Sequence, residues 1–284
     1  MKKLFAFDLV VLGYVAILTA VVLAGRPEGM AVYLAYHAAV AGMIGLIVHA
    51  HGRYGGRFWT FCRYWYVVPV VLAAFRELHY LVPQVHPFED YRFDRILAAI
   101  DRRWLGDVDG FFLSGWPHAD VALLPLWYWF YFVSMVIPGA ALYAAGEWKK
   151  LKEYLAVLMT GLLGSYFGYL IVPAVGPHHF YPSRPPQLDG WIVGAPLHRA
   201  LMAAEWNMPD AFPSGHALLS MIVIAMAGRL HRPSFRIVIL PALGCILATM
   251  ALRYHYVVDV AASAALLPGI IALGTMLHRV RDRD

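Results

Sequence analysis

Residues 212–216, Phe-Pro-Ser-Gly-His, combine a helix-start signal with a histidine. Ser214 can cap the first turn of a helix, and the free backbone N–H groups at that end suit a phosphate. His216 would project from the same turn and could donate or accept a proton. A capped helix whose histidine only touches lipid headgroups explains the pattern as well, so the segment alone does not decide.

A second histidine, His255, is followed four residues later by Asp259. On a helix this spacing places both side chains on one face. A carboxylate that holds one imidazole nitrogen fixes the tautomer and leaves the other nitrogen free to attack. The alternative is a polar pair that stabilises a helix end. Ionisable groups near a bilayer are costly and tend to mark function.

The composition predicts that a membrane positions these residues. Of 284 residues, 61% are hydrophobic and 14% charged, whereas soluble domains are about 45–50% apolar and about 25% charged. The apolar residues form blocks of about 20, the length that crosses a bilayer as a helix. This excludes an ordinary soluble enzyme and predicts an all-α, polytopic helical membrane bundle. We place about eight spans at 5–24, 30–48, 65–82, 122–145, 153–172, 211–228, 237–252 and 257–277.

The distribution of charge predicts the orientation. More than half of the 23 Lys and Arg residues lie in alternate short connections, and such residues stay on the cytoplasmic side. Both termini are therefore predicted to be cytoplasmic, in a cell inner or plasma membrane. The connections near 25–29, 83–120, 173–210 and 253–256 then face outward. Because most basic residues lie in short connections between the apolar blocks, we expect no nucleic-acid partner.

This topology brings three polar segments to one outer rim. The sixth and eighth spans run in the same direction, so His216 and His255 both lie at their outer ends. The fifth span ends at the same rim, where a Pro/Gly-rich stretch carries His178 and leads to Arg184. Three polar segments on one face favour a site over scattered packing residues.

We divide the chain into residues 1–64, two N-terminal spans with a cytoplasmic connection, and residues 65–284, a six-helix catalytic core with outward loops 83–120 and 173–210.

A further segment, residues 91–105, is predicted to be a helix lying along the headgroup layer. Phe93, Ile96, Leu97, Ile100 and Trp104 recur at helical spacing, and Asp101 lies off that stripe. The aromatic run 127–132 is interpreted as an interfacial belt or as the wall of a lipid-chain groove.

The motifs resemble those of the type 2 phosphatidic acid phosphatase superfamily of lipid phosphatases and phosphotransferases. Its middle motif, Pro-Ser-Gly-His, stands intact at 213–216, and its last motif matches at His255 and Asp259. The His-Tyr-x-x-Asp form at 255–259 is similar to the branch with sphingomyelin and inositol phosphorylceramide synthases.

Two other motif positions depart from the family. Ala248 and Thr249 replace the Ser-Arg pair of the last motif. The first motif keeps Arg184-Pro185, but Pro177 stands at its lysine position.

The resemblance implies a two-step phosphoryl transfer through a phosphohistidine. His255 would attack phosphorus, Asp259 would orient it, and His216 would protonate the leaving oxygen and then activate water or an acceptor alcohol. No metal or other cofactor is implied. The residues we assign to phosphate binding are Arg184, Arg253, Ser214, Gly215 and His178.

Arg76 and Glu77 lie in the outer half of the third span. Ionisable groups there pair or line a cavity, so we consider for both a supporting role behind the site or at the head group. The alternative is a structural polar contact.

The sequence therefore predicts an extracytoplasmic lipid-phosphate phosphatase whose partners are a phosphorylated lipid and the surrounding membrane lipids. One alternative is a transferase that moves a phospho-head-group to an acceptor alcohol. Another, of a different class, is a non-catalytic anion or lipid binder or transporter.

Overall fold

The chain folds into a bundle of helices. A computed structural model describes residues 3–86, 91–107, 124–181 and 209–282, and these contain no strand. Arg184, most of residues 173–210 and part of residues 83–120 lie outside the described residues. The helices are α1 Ala6–Gly25, α2 Met30–Tyr54, α3 Gly56–Trp65, α4 Val67–Val85, α5 Arg92–Leu105, α6 Leu124–Ala144, α7 Trp148–Ile171, α8 Pro177–Phe180, α9 Gly215–Leu230, α10 Arg232–Ala251 and α11 Val257–Arg281.

The all-α membrane fold predicted from the sequence is confirmed. Seven stretches of the described chain are long and apolar enough to cross a bilayer, so this is a multi-pass membrane protein. Each of the eight predicted blocks coincides with a helix. The sixth, α9, has only 16 residues, which is about 24 Å at 1.5 Å per residue. It is shorter because the motif residues that precede it form a turn.

Helix α7 is the centre of the bundle. It packs against α1, α4, α6, α9 and α11, and most of its side chains are buried. A central helix of a bundle contacts neighbours on several sides and is apolar on all of its faces. Two close approaches depend on glycine: at Gly161 an added Cβ would lie 2.2 Å from Ile222, and at Gly168 it would lie 2.1 Å from Pro213. The second contact seats the turn before α9 directly on α7.

The N-terminal helices are attached through buried polar pairs. Asp8 of α1 accepts hydrogen bonds from Arg63 of α3, with Nη1 at 2.7 Å, and from the Tyr66 hydroxyl at 2.6 Å. His37 of α2 pairs with Glu77 of α4 at 2.6 Å. A buried charge is tolerated when it is paired, and these pairs hold α1 and α2 to the following helices. The division of the chain at residue 64 stays a prediction.

Helix α5 is present as predicted, but its faces differ from the prediction. Asp101, placed by the sequence pattern on an exposed polar face, is buried against the start of α11. Leu97 is also buried, whereas Ile96 and Trp104 remain exposed. One part of the apolar stripe therefore packs against the protein, and the other part stays exposed. The buried part lies on the face that carries the two aspartates, because their carboxylates bind backbone N–H groups of the protein.

Candidate active site

Two histidines meet at the end of the bundle where α9 and α11 begin. His216 is in the first turn of α9, and His255 lies two residues before the start of α11. Their ring centroids are 5.9 Å apart, although 38 residues separate them in the sequence. His255 is buried and His216 is half-buried. One group bound between them could contact both imidazoles.

The two segments are held together by hydrogen bonds around Ser214. The Ser214 N–H donates to the Asp259 carbonyl at 3.4 Å, and the Ser263 hydroxyl lies 2.9 Å from both the Ser214 and the Asp259 carbonyls. The Ser214 side chain accepts from the Ala217 N–H at 3.2 Å, which is the capping bond expected at a helix start. The separation of the two imidazoles is thus set by backbone contacts.

The tautomer of His255 is set by a backbone carbonyl. Its Nδ1 lies 2.7 Å from the carbonyl oxygen of Ala211. A carbonyl only accepts, so Nδ1 carries the proton, and Nε2 keeps the lone pair that a nucleophile needs. Asp259 Oδ2 is 3.7 Å from the same nitrogen, beyond hydrogen-bond distance. That oxygen instead accepts the Tyr256 N–H at 2.8 Å. Asp259 therefore acts on the ring mainly through its charge.

His216 is held between two tyrosine rings of α6. The centroids of Tyr128 and Tyr131 each lie 4.3 Å from that of His216, and the Tyr128 hydroxyl is 3.2 Å from Nδ1. These tyrosines belong to the aromatic run that the sequence analysis interpreted as a belt or a groove wall. Gly215 is required beside them, because an added Cβ would lie 2.3 Å from the Tyr169 hydroxyl.

The loop before α8 packs on the segment that carries His255. Arg253 is buried in a left-handed conformation (φ 66°). Its Nη2 donates to the Pro177 carbonyl at 3.3 Å, and its own carbonyl accepts the His178 N–H at 2.7 Å. At Gly176, with φ 82°, an added Cβ would lie 2.1 Å from the Tyr254 carbonyl. Non-glycine residues at positive φ are strained and cluster at functional sites.

An apolar crevice of about 400 Å³ leads away from the imidazoles. The end near the imidazoles is lined by His216, Asp210 and Tyr169, and the far end by Trp65 and Leu151. The stretch of α7 from residue 151 to residue 169 rises about 27 Å, close to the ~30 Å hydrocarbon thickness of a bilayer.

One side of this crevice is open between α4 and α6. Two residues that line it, Leu72 and Phe132, are 57% and 43% exposed. In a bilayer these side chains would face the lipid chains.

Comparison with known families agrees with this geometry. The PAP2 (type 2 phosphatidic acid phosphatase) superfamily profile matches residues 95–273, more than half of the chain. The chain belongs to the PAP2 superfamily. No curated protein and no solved structure matches it. Membership supports a phosphatase-type activity on phosphorylated lipids, and the matched range begins in α5 and ends in α11.

Not every residue predicted for the PAP2 site contacts it. The structure brings together His216, His255, Asp259, Ser214 and Gly215, with Arg253 in the segment before His255 and His178 in α8. Glu77 contacts His37 of α2, and Arg76 donates to the Tyr80 hydroxyl at 3.0 Å. A role of either residue in the site stays a prediction, as does phosphate binding by Arg184.

Three aspartates of the site were not predicted from the sequence. Asp210 lines the crevice beside His216, and burial raises the pKa of its carboxyl to about 6, although the nearby His255 opposes the rise. Asp94 binds the backbone N–H of Gly176, and Asp101 binds that of Val257, two residues after His255. Asp210 stands four residues before Ser214, and the two aspartates of α5 are seven apart, a same-face spacing. These two spacings are the signals that the sequence offers for the three aspartates.

Within the described ranges, no group of three or more His, Cys, Asp or Glu side chains could hold a metal ion. A metal-independent reaction stays a prediction.

Proposed function

We propose that this PAP2 protein is a membrane-embedded lipid-phosphate phosphatase that works on the extracytoplasmic side through a phosphohistidine on His255. The observation that carries the proposal is the 5.9 Å separation of the His216 and His255 rings at the head of the crevice. An attacking base and a proton donor must both reach one phosphoryl group, and these two imidazoles are close enough to do so.

In the first step, Nε2 of His255 forms a bond to phosphorus while the bond from phosphorus to the lipid oxygen breaks. His216 gives a proton to that oxygen, and the dephosphorylated lipid leaves. In the second step, His216 takes a proton from water, the hydroxide attacks phosphorus, and the N–P bond breaks to release inorganic phosphate. The Asp259 carboxylate stabilises the positive charge that His255 carries between the steps.

Several groups around the imidazoles suit the phosphoryl oxygens. The start of α9, at Ser214 and Gly215, presents the positive end of a helix dipole. Arg253 adds a cation fixed in the segment before His255, and His178 of α8 donates its backbone N–H to the Arg253 carbonyl. We propose Arg184 as a second cation on the grounds of the family motif.

The crevice suits the hydrocarbon chain of the substrate. Its walls are apolar, it begins at His216, and exposed Leu72 and Phe132 mark a lateral opening through which a lipid could enter. The charge distribution of the connections supports an outward-facing site, since the basic connections belong on the cytoplasmic side.

The test is phosphate release from a panel of lipid phosphates by the purified full-length chain. We expect turnover of at least one long-chain lipid phosphate and its loss in His255→Ala and in His216→Ala. His278→Ala is the matched control, because His278 is a buried histidine paired with Asp282 at the opposite end of α11. An acid-labile phosphoenzyme should form in wild type and not in His255→Ala. Binding of lipid without turnover by wild type would favour the non-catalytic alternative.

A head-group transferase is the second candidate, and Asp210 is the observation in its favour. Its carboxyl lines the crevice beside His216 and could take the proton of an acceptor alcohol, since a base with a raised pKa near 6 is suited to that task. Phosphate release that needs no acceptor supports the hydrolase. Product formation only when an alcohol is present, lost in Asp210→Asn, supports the transferase.

The proposed chain site is tested by narrowing the crevice. Met135 lines it, whereas Val133, two residues away on α6, is exposed and is not among its lining residues. We expect Met135→Trp to raise KM for long-chain substrates more than for short-chain ones and Val133→Trp to leave both unchanged. An equal effect of Met135→Trp on both chain lengths would contradict the assignment.

A further inference from the structure

Helix α5 directs two carboxylates toward the interior of the protein. Asp94 and Asp101 are seven residues apart, on the same face, with exposed fractions of 0% and 8%. Leu97 and Ala98, also buried, lie between them. A buried carboxylate is costly unless it is hydrogen-bonded, so the partners of these two residues define what α5 does.

Asp101 caps the helix that follows His255. Its Oδ2 accepts the Val257 N–H at 2.8 Å and its Oδ1 the Val258 N–H at 2.9 Å. The first N–H groups of a helix have no partner inside it and depend on an outside acceptor. In most helices the residue just before the first turn supplies that acceptor. Here a carboxylate from another helix supplies it, two residues after His255.

Asp94 holds the opposite side of the same region. It accepts the Gly176 N–H at 2.9 Å, the Val175 N–H at 3.1 Å and the Tyr256 hydroxyl at 3.1 Å. Tyr256 directly follows His255, and Gly176 belongs to the loop packed on Tyr254. The two carboxylates of α5 therefore bind the residues that come immediately after the histidine and the loop beside it.

The segment around His255 needs such outside contacts. It is irregular between α10 and α11, and Arg253 within it has a positive φ. A strained conformation persists only where the surrounding structure holds it. The bonds from α5 and the 2.7 Å bond from His255 to Ala211 are contacts that can do so.

We propose that α5 is a carboxylate clamp in which Asp94 and Asp101 are positioning residues that hold the His255 imidazole in line with the phosphorus atom. The proposal rests on the nucleophilic role proposed above for His255. Neither aspartate contacts the imidazole in the described structure, and both act through the backbone that carries it. A displacement of about 1 Å at a reacting group can cost about 10²-fold in rate.

The first test compares kcat and KM of clamp variants in the full-length protein. We expect Asp101→Ala and Asp94→Ala to lower kcat by about 10²-fold with KM nearly unchanged, because substrate binding does not need the exact line of attack. Asp101→Asn retains one carbonyl oxygen, which can accept one of the two N–H groups that Asp101 binds, so it should recover part of kcat. Arg102→Ala, on the exposed face of α5, is the control and should behave as wild type.

The amount of folded enzyme separates positioning from loss of folding. Thermal unfolding measures the folded fraction, and we expect the variants to be folded at the assay temperature but to form the phosphoenzyme slowly. A reduced folded fraction with a normal rate per folded molecule would mean that the aspartates only stabilise the fold, and would overturn the proposal. Wild-type kcat in the Asp94→Ala/Asp101→Ala double variant would also overturn it.

Hydrogen exchange tests the clamp without any substrate. In Asp101→Ala the amides of residues 257–258 should exchange faster than in wild type, and in Arg102→Ala they should not. Unchanged exchange in Asp101→Ala would overturn the clamp whatever the enzyme does. Absence of turnover by the wild-type protein would instead overturn the proposed function, so the two failures can be told apart.

Discussion

Replacing Asp259 by asparagine tests how the carboxylate acts on the attacking histidine. Because Nδ1 of His255 already donates to the Ala211 carbonyl, the Asp259→Asn variant should keep the reactive tautomer. The asparagine oxygen can still accept the Tyr256 N–H that Asp259 accepts now. The start of α11 should therefore survive, and only the negative charge is lost.

The expected loss follows from the distance. Asp259 Oδ2 lies 3.7 Å from Nδ1 of His255, and both side chains are buried. Two unit charges at that separation interact by about 4.5 kcal/mol at an effective dielectric constant of about 20. A full positive charge develops only after attack, so we expect phosphorylation to slow by about 10²- to 10³-fold.

The measurement is the single-turnover rate of phosphoenzyme formation. The chain contains its own control, because His278 and Asp282 repeat the same spacing at the other end of α11, with Nδ1 and Oδ2 at 2.9 Å. Asp282→Asn removes a comparable charge from a comparable pair, far along the helix from the site. It should leave the rate unchanged.

Two results would refute the reasoning. A loss of less than tenfold would mean that the charge of Asp259 is not felt at the ring. Complete loss of phosphoenzyme, as in His255→Ala, would mean that Asp259 and not Ala211 sets the tautomer, or that the helix start collapses. A melting curve of the variant distinguishes these last two causes.

Three further predictions concern stability and can be measured by thermal unfolding. In Gly168→Ala the added Cβ would lie 2.1 Å from Pro213, so the variant should destabilise the fold by about 1–3 kcal/mol. Gly164→Ala is the control: its Cβ meets no described atom within 4 Å, and the fold should gain up to about 1 kcal/mol of stability. Burial raises the pKa of Asp210 to about 6, so the fold loses stability as pH rises from about 4 to about 6. Because Asp210 keeps some solvent contact, we expect Asp210→Asn to stabilise the fold by about 1–2 kcal/mol at pH 7. The same variant should not stabilise the fold at pH 4. Glu77→Ala breaks a buried pair and should cost about 3–5 kcal/mol with unchanged kcat per folded molecule, whereas a fall in that kcat would support a role in the site.

The helices were predictable because apolar length is a local property. A run of about 20 apolar residues must become a helix in a bilayer, since the backbone has no water to bind there. The faces of the helices were less predictable. In α5 the periodicity grouped Ile96 with Leu97, although one is exposed and the other buried, because periodicity does not reveal which partner a face meets.

The site was predictable to the extent that its chemistry is local. Pro-Ser-Gly at 213–215 predicts a helix start, and the Ser214 capping bond is present. Asp210 and the two aspartates of α5 could not be assigned, because an aspartate in a loop or on a surface helix is ordinarily solvated. Their relevance comes from burial and, for Asp94 and Asp101, from donors 81 to 162 residues away in sequence, such as the Val175 N–H and the Tyr256 hydroxyl that bind Asp94.

By itself, the sequence determined that the chain lies in a membrane, that its elements are helices, and which motif residues belong to a PAP2 enzyme. The predicted topology already placed His216 and His255 at the same ends of two spans. Only the tertiary structure decided how close the two rings come, with centroids 5.9 Å apart. The packing of α9 and α11 on each other and on α7 brings the starts of the two helices together. Spacing along the chain indicates which residues share a face of one helix, whereas an active site depends on the distance between residues of different helices.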